Sequence, residues 1–248
     1  MSQAKLAASE ISDRWRLELS ERPSCRDCTI RDLVFCGGIP NRHLADLEAE
    51  HEVLQVAEGH TVYLEGEPAG NVFLVKGGVL RIYKLLPDGR RQITDFALPG
   101  DWVGLAQDNR YVHSLQALVP STLCEFSAGQ MESFVTRFPD ADVALRRQWQ
   151  QNLIAAQDQI LMLGRMNPIE KLSNFLVRLH QRRERAGLHG NPVYLPMSRS
   201  DIADYLGVTI ETVSRSMSRL KANGLIVPLD RNRIQIADLD MLRRQAGW

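Results

Sequence analysis

Ser198-Arg199-Ser200-Asp201-Ile202-Ala203-Asp204-Tyr205-Leu206-Gly207-Val208-Thr209-Ile210-Glu211-Thr212-Val213-Ser214-Arg215-Ser216-Met217-Ser218-Arg219-Leu220 reads as two short helices meeting at a tight turn. Ser198 with Asp201 three residues on forms a capping box, in which each side chain satisfies a free backbone donor at a helix start. Ile202, Ala203 and Leu206 give the first helix a buried face, and Gly207 allows the close turn that a side chain would hinder. Thr209 caps the second helix, which stops near Asn223-Gly224. On that helix Val213, Met217 and Leu220 face inward, while Glu211, Ser214, Arg215 and Ser218 share the opposite face. An exposed guanidinium, carboxylate and small hydroxyls suit the edges of base pairs in a major groove. Arg219 and Lys221 are placed for phosphate, and Ser198, Thr209 and Thr212 complete the expected DNA-facing set. Leu225–Leu229 and Arg233–Ile236 read as a two-stranded wing across Asp230-Arg231-Asn232. Together these predict a winged helix-turn-helix at 168–248 and double-stranded DNA as partner.

Upstream the pattern is helical from about residue 140 to 167. Trp149, Leu153, Ala156, Ile160 and Leu163 fall at alternating steps of four and three, an a/d seam. We expect this helix to form a two-fold coiled coil in a homodimer, the alternative being packing against the chain's own sheets. Pro168 marks a break, and Ile169, Leu172, Phe175, Leu176 and Leu179 start another amphipathic helix. Between 41 and 139 short apolar runs alternate with turns, as in Thr61-Val62-Tyr63-Leu64 before Glu65-Gly66-Glu67-Pro68 and Val72-Phe73-Leu74-Val75 before Lys76-Gly77-Gly78. This spacing predicts an antiparallel sandwich or barrel, making the fold α+β.

Residues 1–40 carry three of the four cysteines, Cys25, Cys28 and Cys36; Cys124 stands alone in a predicted strand. Four soft sulfurs suit zinc or an iron–sulfur cluster, though Cys124 by itself would read as a small buried hydrophobe. The 248 residues, 44% hydrophobic and 24% charged, are those of a soluble globular protein. No apolar run approaches a bilayer span, and Met1–Ser20 lacks the apolar core of a signal peptide, so a cytoplasmic location with reduced thiols is expected. Net charge is zero, but residues 1–164 hold 16 Lys+Arg against 22 Asp+Glu and residues 165–248 hold 14 against 8. A basic C-terminal third fits contact with phosphate. His43, His51, His60, His113, His180 and His189 show no ligand or nucleophile spacing and read as surface or satisfied residues. Cys25-x-x-Cys28 lacks the βαβ context of a dithiol oxidoreductase, and no enzymatic activity is expected.

With these residues in view the chain resembles, over nearly its whole length, the CRP/FNR superfamily of transcription regulators, and within it the oxygen-sensing FNR branch. The Glu211, Ser214 and Arg215 spacing in Ile210-Glu211-Thr212-Val213-Ser214-Arg215 is similar to that branch's reading helix. Gln116-Ala117-Leu118 with Leu123-Cys124-Glu125 resembles the segment around its fourth ligand, and Ile160-Leu161-Met162-Leu163 the motif that follows its dimer helix. The resemblance implies a jelly-roll sensory domain of cyclic-nucleotide-binding type and a 4Fe–4S cluster held by Cys25, Cys28, Cys36 and Cys124. It further implies oxygen-dependent dimerisation, a two-fold DNA site with TTGAT-like half-sites, and contact with RNA polymerase, for which the Pro87-Asp88-Gly89-Arg90 turn is a candidate. Arg26 and Arg31 would offset the cluster's charge of about −2. Seven residues separate Cys28 from Cys36, more than in the best-known enteric members. Cyclic nucleotide is disfavoured as effector, because Arg110-Tyr111-Val112-His113-Ser114 lacks the Arg-Ser pair that holds its phosphate. The alternative kept open is a zinc-stabilised or thiol-redox regulator of the same fold.

Overall fold

A computed structural model describes residues 24–185 and 192–247, so the reading of Met1–Ser20 lies outside the described residues. By compactness the chain divides into two units, one of 1–85 with 94–150 and one of 86–93 with 151–248.

The first unit is built on two antiparallel sheets. One runs β1 (Glu52–Val56), β10 (Ser121–Ser127), β3 (Asn71–Gly77), β6 (Trp102–Val103). The other runs β2 (Thr61–Tyr63), β9 (Ser114–Ala117), β4 (Leu80–Leu85), β5 (Arg91–Ala97), and β7 (Ala106–Gln107) pairs with β8 (Arg110–Tyr111) in a small hairpin. They form an open jelly roll rather than a closed barrel, which sharpens the sandwich-or-barrel expectation. Phe73, Val75, Leu80, Leu115 and Leu123 make the core between the sheets. Strand β3 is central and apolar on both sides because a second core lies on the other face of its sheet. That second core joins Leu74, Cys124 and Phe126 to Ile30, Phe35 and Ile39 of the cysteine-bearing segment. The segment, expected to be irregular or briefly helical, is a chain of 3₁₀ turns at Cys25–Asp27, Arg31–Leu33, Phe35–Gly38 and Asn41–His43. Helix α1 (Leu44–Ala49) follows it and buries Leu44 and Leu47.

After β10, α2 (Ala128–Arg137) starts at a capping box between Ser127 and Gln130. Helix α3 (Pro139–Arg165) opens with proline at its first position, where the missing N–H costs nothing. It ends at Arg165, two residues before the expected 167. Ile160-Leu161-Met162-Leu163 lies within its last turns, not after it as the family motif suggested.

In the second unit α4 (Pro168–Arg185) is capped by Asn167, whose Oδ1 accepts from the N–H groups of Ile169 and Glu170. Then come β11 (Val193–Tyr194), α5 (Arg199–Leu206), α6 (Ile210–Ala222), β12 (Ile226–Pro228), β13 (Arg233–Ile236) and α7 (Leu239–Gln245). The wing has three strands, not two: β11 pairs with β13, placing Val193 opposite Ile234.

Candidate nucleic-acid interface and thiol centre

The α5–α6 pair forms as its sequence dictates. Ser198 Oγ accepts from Asp201 N–H at 3.0 Å, and Asp201 Oδ2 accepts from Ser198 N–H at 3.0 Å. Gly207 ends α5 in the left-handed region, φ 63°, and Thr209 Oγ1 caps α6 by accepting from Thr212 N–H. Val213, Met217 and Leu220 are buried; Glu211, Ser214, Arg215, Ser218, Arg219 and Lys221 are exposed, and Thr212 is half-buried. Ser216 is buried as well and takes no part in the outer face. Arg215 Nε donates to Glu211 O at 3.4 Å and Ser214 Oγ to Ile210 O at 3.0 Å. Those long or local bonds leave the outer polar groups free to exchange backbone for a ligand. The Glu211 carboxyl is held below the usual carboxylate range, by backbone N–H donation and then by the Thr209 hydroxyl.

Along α3 the stripe faces solvent in the single chain. Trp149, Leu153 and Ile160 are 62%, 63% and 70% exposed, and Ala156 is exposed too. Leu163 differs: it is half-buried, with Cδ2 3.3 Å from where a Cβ on Gly207 would stand. Ile154 and Leu161, seven residues apart, form a second exposed apolar row beside the seam.

The four cysteines are free thiols that share one apolar core, Cys124 buried on β10 and the other three half-buried against it. Burial first, then the Glu48 carboxylate and Cys28, push the Cys25 thiol up to about 11. Burial pushes Cys124 up to about 12, and burial followed by the other three sulfurs raises Cys36. Cys25 Sγ lies 3.9 Å from His51 Nε2. His51 Nδ1 donates to Leu47 O at 2.6 Å, so the other ring nitrogen, Nε2, is the one that faces the thiol. Its ring stacks on Phe126 with centroids 5.2 Å apart. Arg31 donates to Ile39 O, while its buried Nε has no partner among the described residues. Arg26 is exposed, so of the two expected counter-charges Arg31 is the one set into the core side. Among the described residues no three His, Cys, Asp or Glu side chains are grouped closely enough to hold a metal ion as they stand. The donor set nevertheless fits an anionic four-thiolate group, with an orphaned guanidinium N–H beside it. Arg110, weighed against cyclic nucleotide, is exposed and donates to Gly66 O at 2.6 Å; Ser114 is buried and accepts from Glu65 N–H.

Two family descriptions match: a cyclic nucleotide-binding domain over residues 53–138 and a Crp-like helix-turn-helix domain over residues 170–245. The transcriptional activatory protein AadR of Rhodopseudomonas palustris is 40% identical over 200 residues, covering 81% of this chain and 84% of that one. The chain belongs to the CRP/FNR family of transcription regulators. The nitrogen fixation regulation protein FixK of Bradyrhizobium diazoefficiens is 38% identical over 202 residues, 82% of this chain and 85% of its own. The solved structure of FixK2 from Bradyrhizobium japonicum superposes with a TM-score of 0.72 at 32% identity, covering 79% of this chain and 96% of that one. As a CRP/FNR regulator the protein is a DNA-binding transcription factor, not an enzyme. No described helix is long and apolar enough to cross a membrane.

Sequence reasoning passed over two residues at the thiol core of this CRP/FNR regulator. The sequence marks His51 only as a surface or satisfied residue; it is satisfied through Leu47, yet its other nitrogen meets Cys25. Lys76 belongs to the Lys76-Gly77-Gly78 turn signal of the sequence, yet the structure keeps it in β3 and buries it. Phe126 shares a strand face with Cys124 by alternation, but nothing in the chain's order points to either partner.

Proposed function

We propose that this regulator is an oxygen-responsive homodimer whose Cys25, Cys28, Cys36 and Cys124 hold a 4Fe–4S cluster at low oxygen. In that state it binds a two-fold TTGAT-like DNA site and recruits RNA polymerase. The observation that carries this reading is the convergence of four free thiols on one core whose other members include Phe138, Ala141 and Leu145, at the start of α3. Gly38, two residues after Cys36, lies so close to α3 that a Cβ there would stand 2.7 Å from Ala141 N. Whatever fixes Cys36 therefore fixes the first turn of the helix that carries the exposed seam.

The cluster, when bound, supplies an oxygen-labile anionic centre that ties the cysteine segment to β10. The protein's residues do the rest. Phe35, Trp102 and Phe126, with ring centroids 5.2–5.8 Å apart, exclude water from the sulfurs. Arg31 offers a buried N–H to the negative charge. Two seams from Trp149 to Ile160 pair across a two-fold axis, and the α6 helices then reach successive major grooves about one helical turn apart. The coupling is a population shift, since ligation favours the dimeric state only through differential contacts at the start of α3.

The rival is a thiol-redox or zinc-stabilised regulator. Reactive thiols need lowered pKa values, whereas Cys25 and Cys124 are raised to about 11 and about 12, which speaks against the thiol-redox form; zinc would use the same sulfurs as the cluster. Iron and acid-labile sulfide in anaerobically purified protein test the proposal. About four of each per chain, with broad visible absorption that bleaches in air, is the expected result. Stoichiometric zinc without iron would overturn it in favour of the rival.

A further inference from the structure

Lys76 sits near the end of β3 and is 6% exposed. In the β3–β10 ladder Val75 pairs with Leu123 and Gly77 with Thr122, so Lys76 is the extra residue of a bulge. Bulges re-aim the side chain they carry. Two residues earlier on the same strand Leu74 pairs with Cys124 and joins the thiol core, and the ammonium lies within electrostatic reach of both Cys25 and Cys124. It has no hydrogen bond or ion pair with another described residue. A lysine nine-tenths buried without an anion is uncommon, because burial removes the water that solvates its charge. The thiol core supplies the anion once its sulfurs are ligated: four thiolates on a doubly positive cubane carry a charge of about −2.

We propose that Lys76 is a further charge-compensating residue of the cysteine site beside Arg31, a non-ligand cation at a bulge in β3 that faces the four sulfurs and stabilises their anionic, ligated state. This rests on the cluster reading above. It goes further in making β3 part of the site and in giving Lys76 opposite effects on the empty and loaded forms. In the empty protein the ammonium has no anionic partner among the described residues, so an apolar side chain in its place packs the largely buried stem better. In the loaded protein it stabilises the bound group and raises its midpoint potential, since a nearby positive charge favours the more reduced, more negative state.

The test compares full-length wild type with Lys76→Met and Lys76→Arg, each empty and reconstituted anaerobically with ferrous iron and sulfide. For Lys76→Met we expect a higher melting temperature when empty. When loaded, we expect several-fold faster iron release to a chelator and a lower midpoint potential; Lys76→Arg should stay near wild type in all three. A residue that only packs β3 would shift both forms the same way. Wild type that takes up four irons while Lys76→Met matches its release rate and potential would overturn the role of Lys76 and leave the cluster standing. Wild type that takes up no iron would overturn both. Should Lys76→Met prove insoluble, Lys76→Gln against Lys76→Arg makes the same comparison.

Discussion

Arg215 and Arg219 stand one turn apart on α6, both exposed, yet their positions suit different tasks. Arg215 shares its face with Glu211, Ser214 and Ser218, where a guanidinium fork meets guanine O6 and N7. Arg215→Ala should cost about 1–3 kcal/mol per half-site and relax discrimination at the guanine of the proposed TTGAT-like half-site. Arg219→Ala should weaken all sequences alike and flatten the salt dependence. Binding measured at several salt concentrations, with that guanine replaced, separates the two; equal loss on every sequence with Arg215→Ala would make it a phosphate anchor. The thiols give a second residue-scale expectation. In the empty protein Cys25 and Cys124 stay protonated well past the ordinary thiol value of 9.0. Their alkylation at neutral pH should run on the order of a hundredfold slower than that of an exposed cysteine. The unfolded chain ionises from about pH 9, before the folded one does. Cluster-free protein therefore loses stability as pH climbs from there toward about 11 to 12. Melting curves across that range check the sign.

At the scale of elements, the cysteine segment is seated on α3 by backbone approach. A Cβ on Gly38 would lie 2.7 Å from Ala141 N and 2.8 Å from Asp140 C, atoms of a helix turn that cannot step aside. Gly38→Ala should therefore cost about 1–3 kcal/mol of stability, while Gly129→Ala, with nothing within 4 Å, should be neutral or slightly stabilising. Denaturant midpoints of the two variants decide this, and an unchanged Gly38→Ala would mean that the segment is not held there. The helix-turn-helix was legible because its determinants are local: the Ser198–Asp201 box, the left-handed Gly207 and the Thr209 cap lie within a dozen residues. The third wing strand was not, since Val193-Tyr194 is too short to show a period and forms only by pairing with β13. Lys76 and His51 were hidden for the same reason at longer range. One depends on a bulge between β3 and β10 and the other on α1 docking beside Phe126, and neither leaves a mark on neighbouring residues.

For the whole molecule the open question is assembly, and α3 carries it. Ile160 is 70% exposed in the single chain, so a lysine there finds water and leaves the protomer's own stability within about 0.5 kcal/mol of wild type. At a two-fold seam the same lysine meets its copy in an apolar interface and must desolvate or open it. That costs at least about 3 kcal/mol, on the order of a hundredfold in the dimer dissociation constant. Ile160→Lys should accordingly sediment as a folded monomer with little affinity for a full two-fold site. Its residual binding to a single half-site should match that of one wild-type protomer, because α6 is unchanged. The exposed Ile154 and Leu161 row supplies the control: Leu161→Lys, about 100° around the helix from Ile160, should spare the dimer if the Trp149–Ile160 seam is the contact. A dimer that survives Ile160→Lys but not Leu161→Lys would move the axis to that second row.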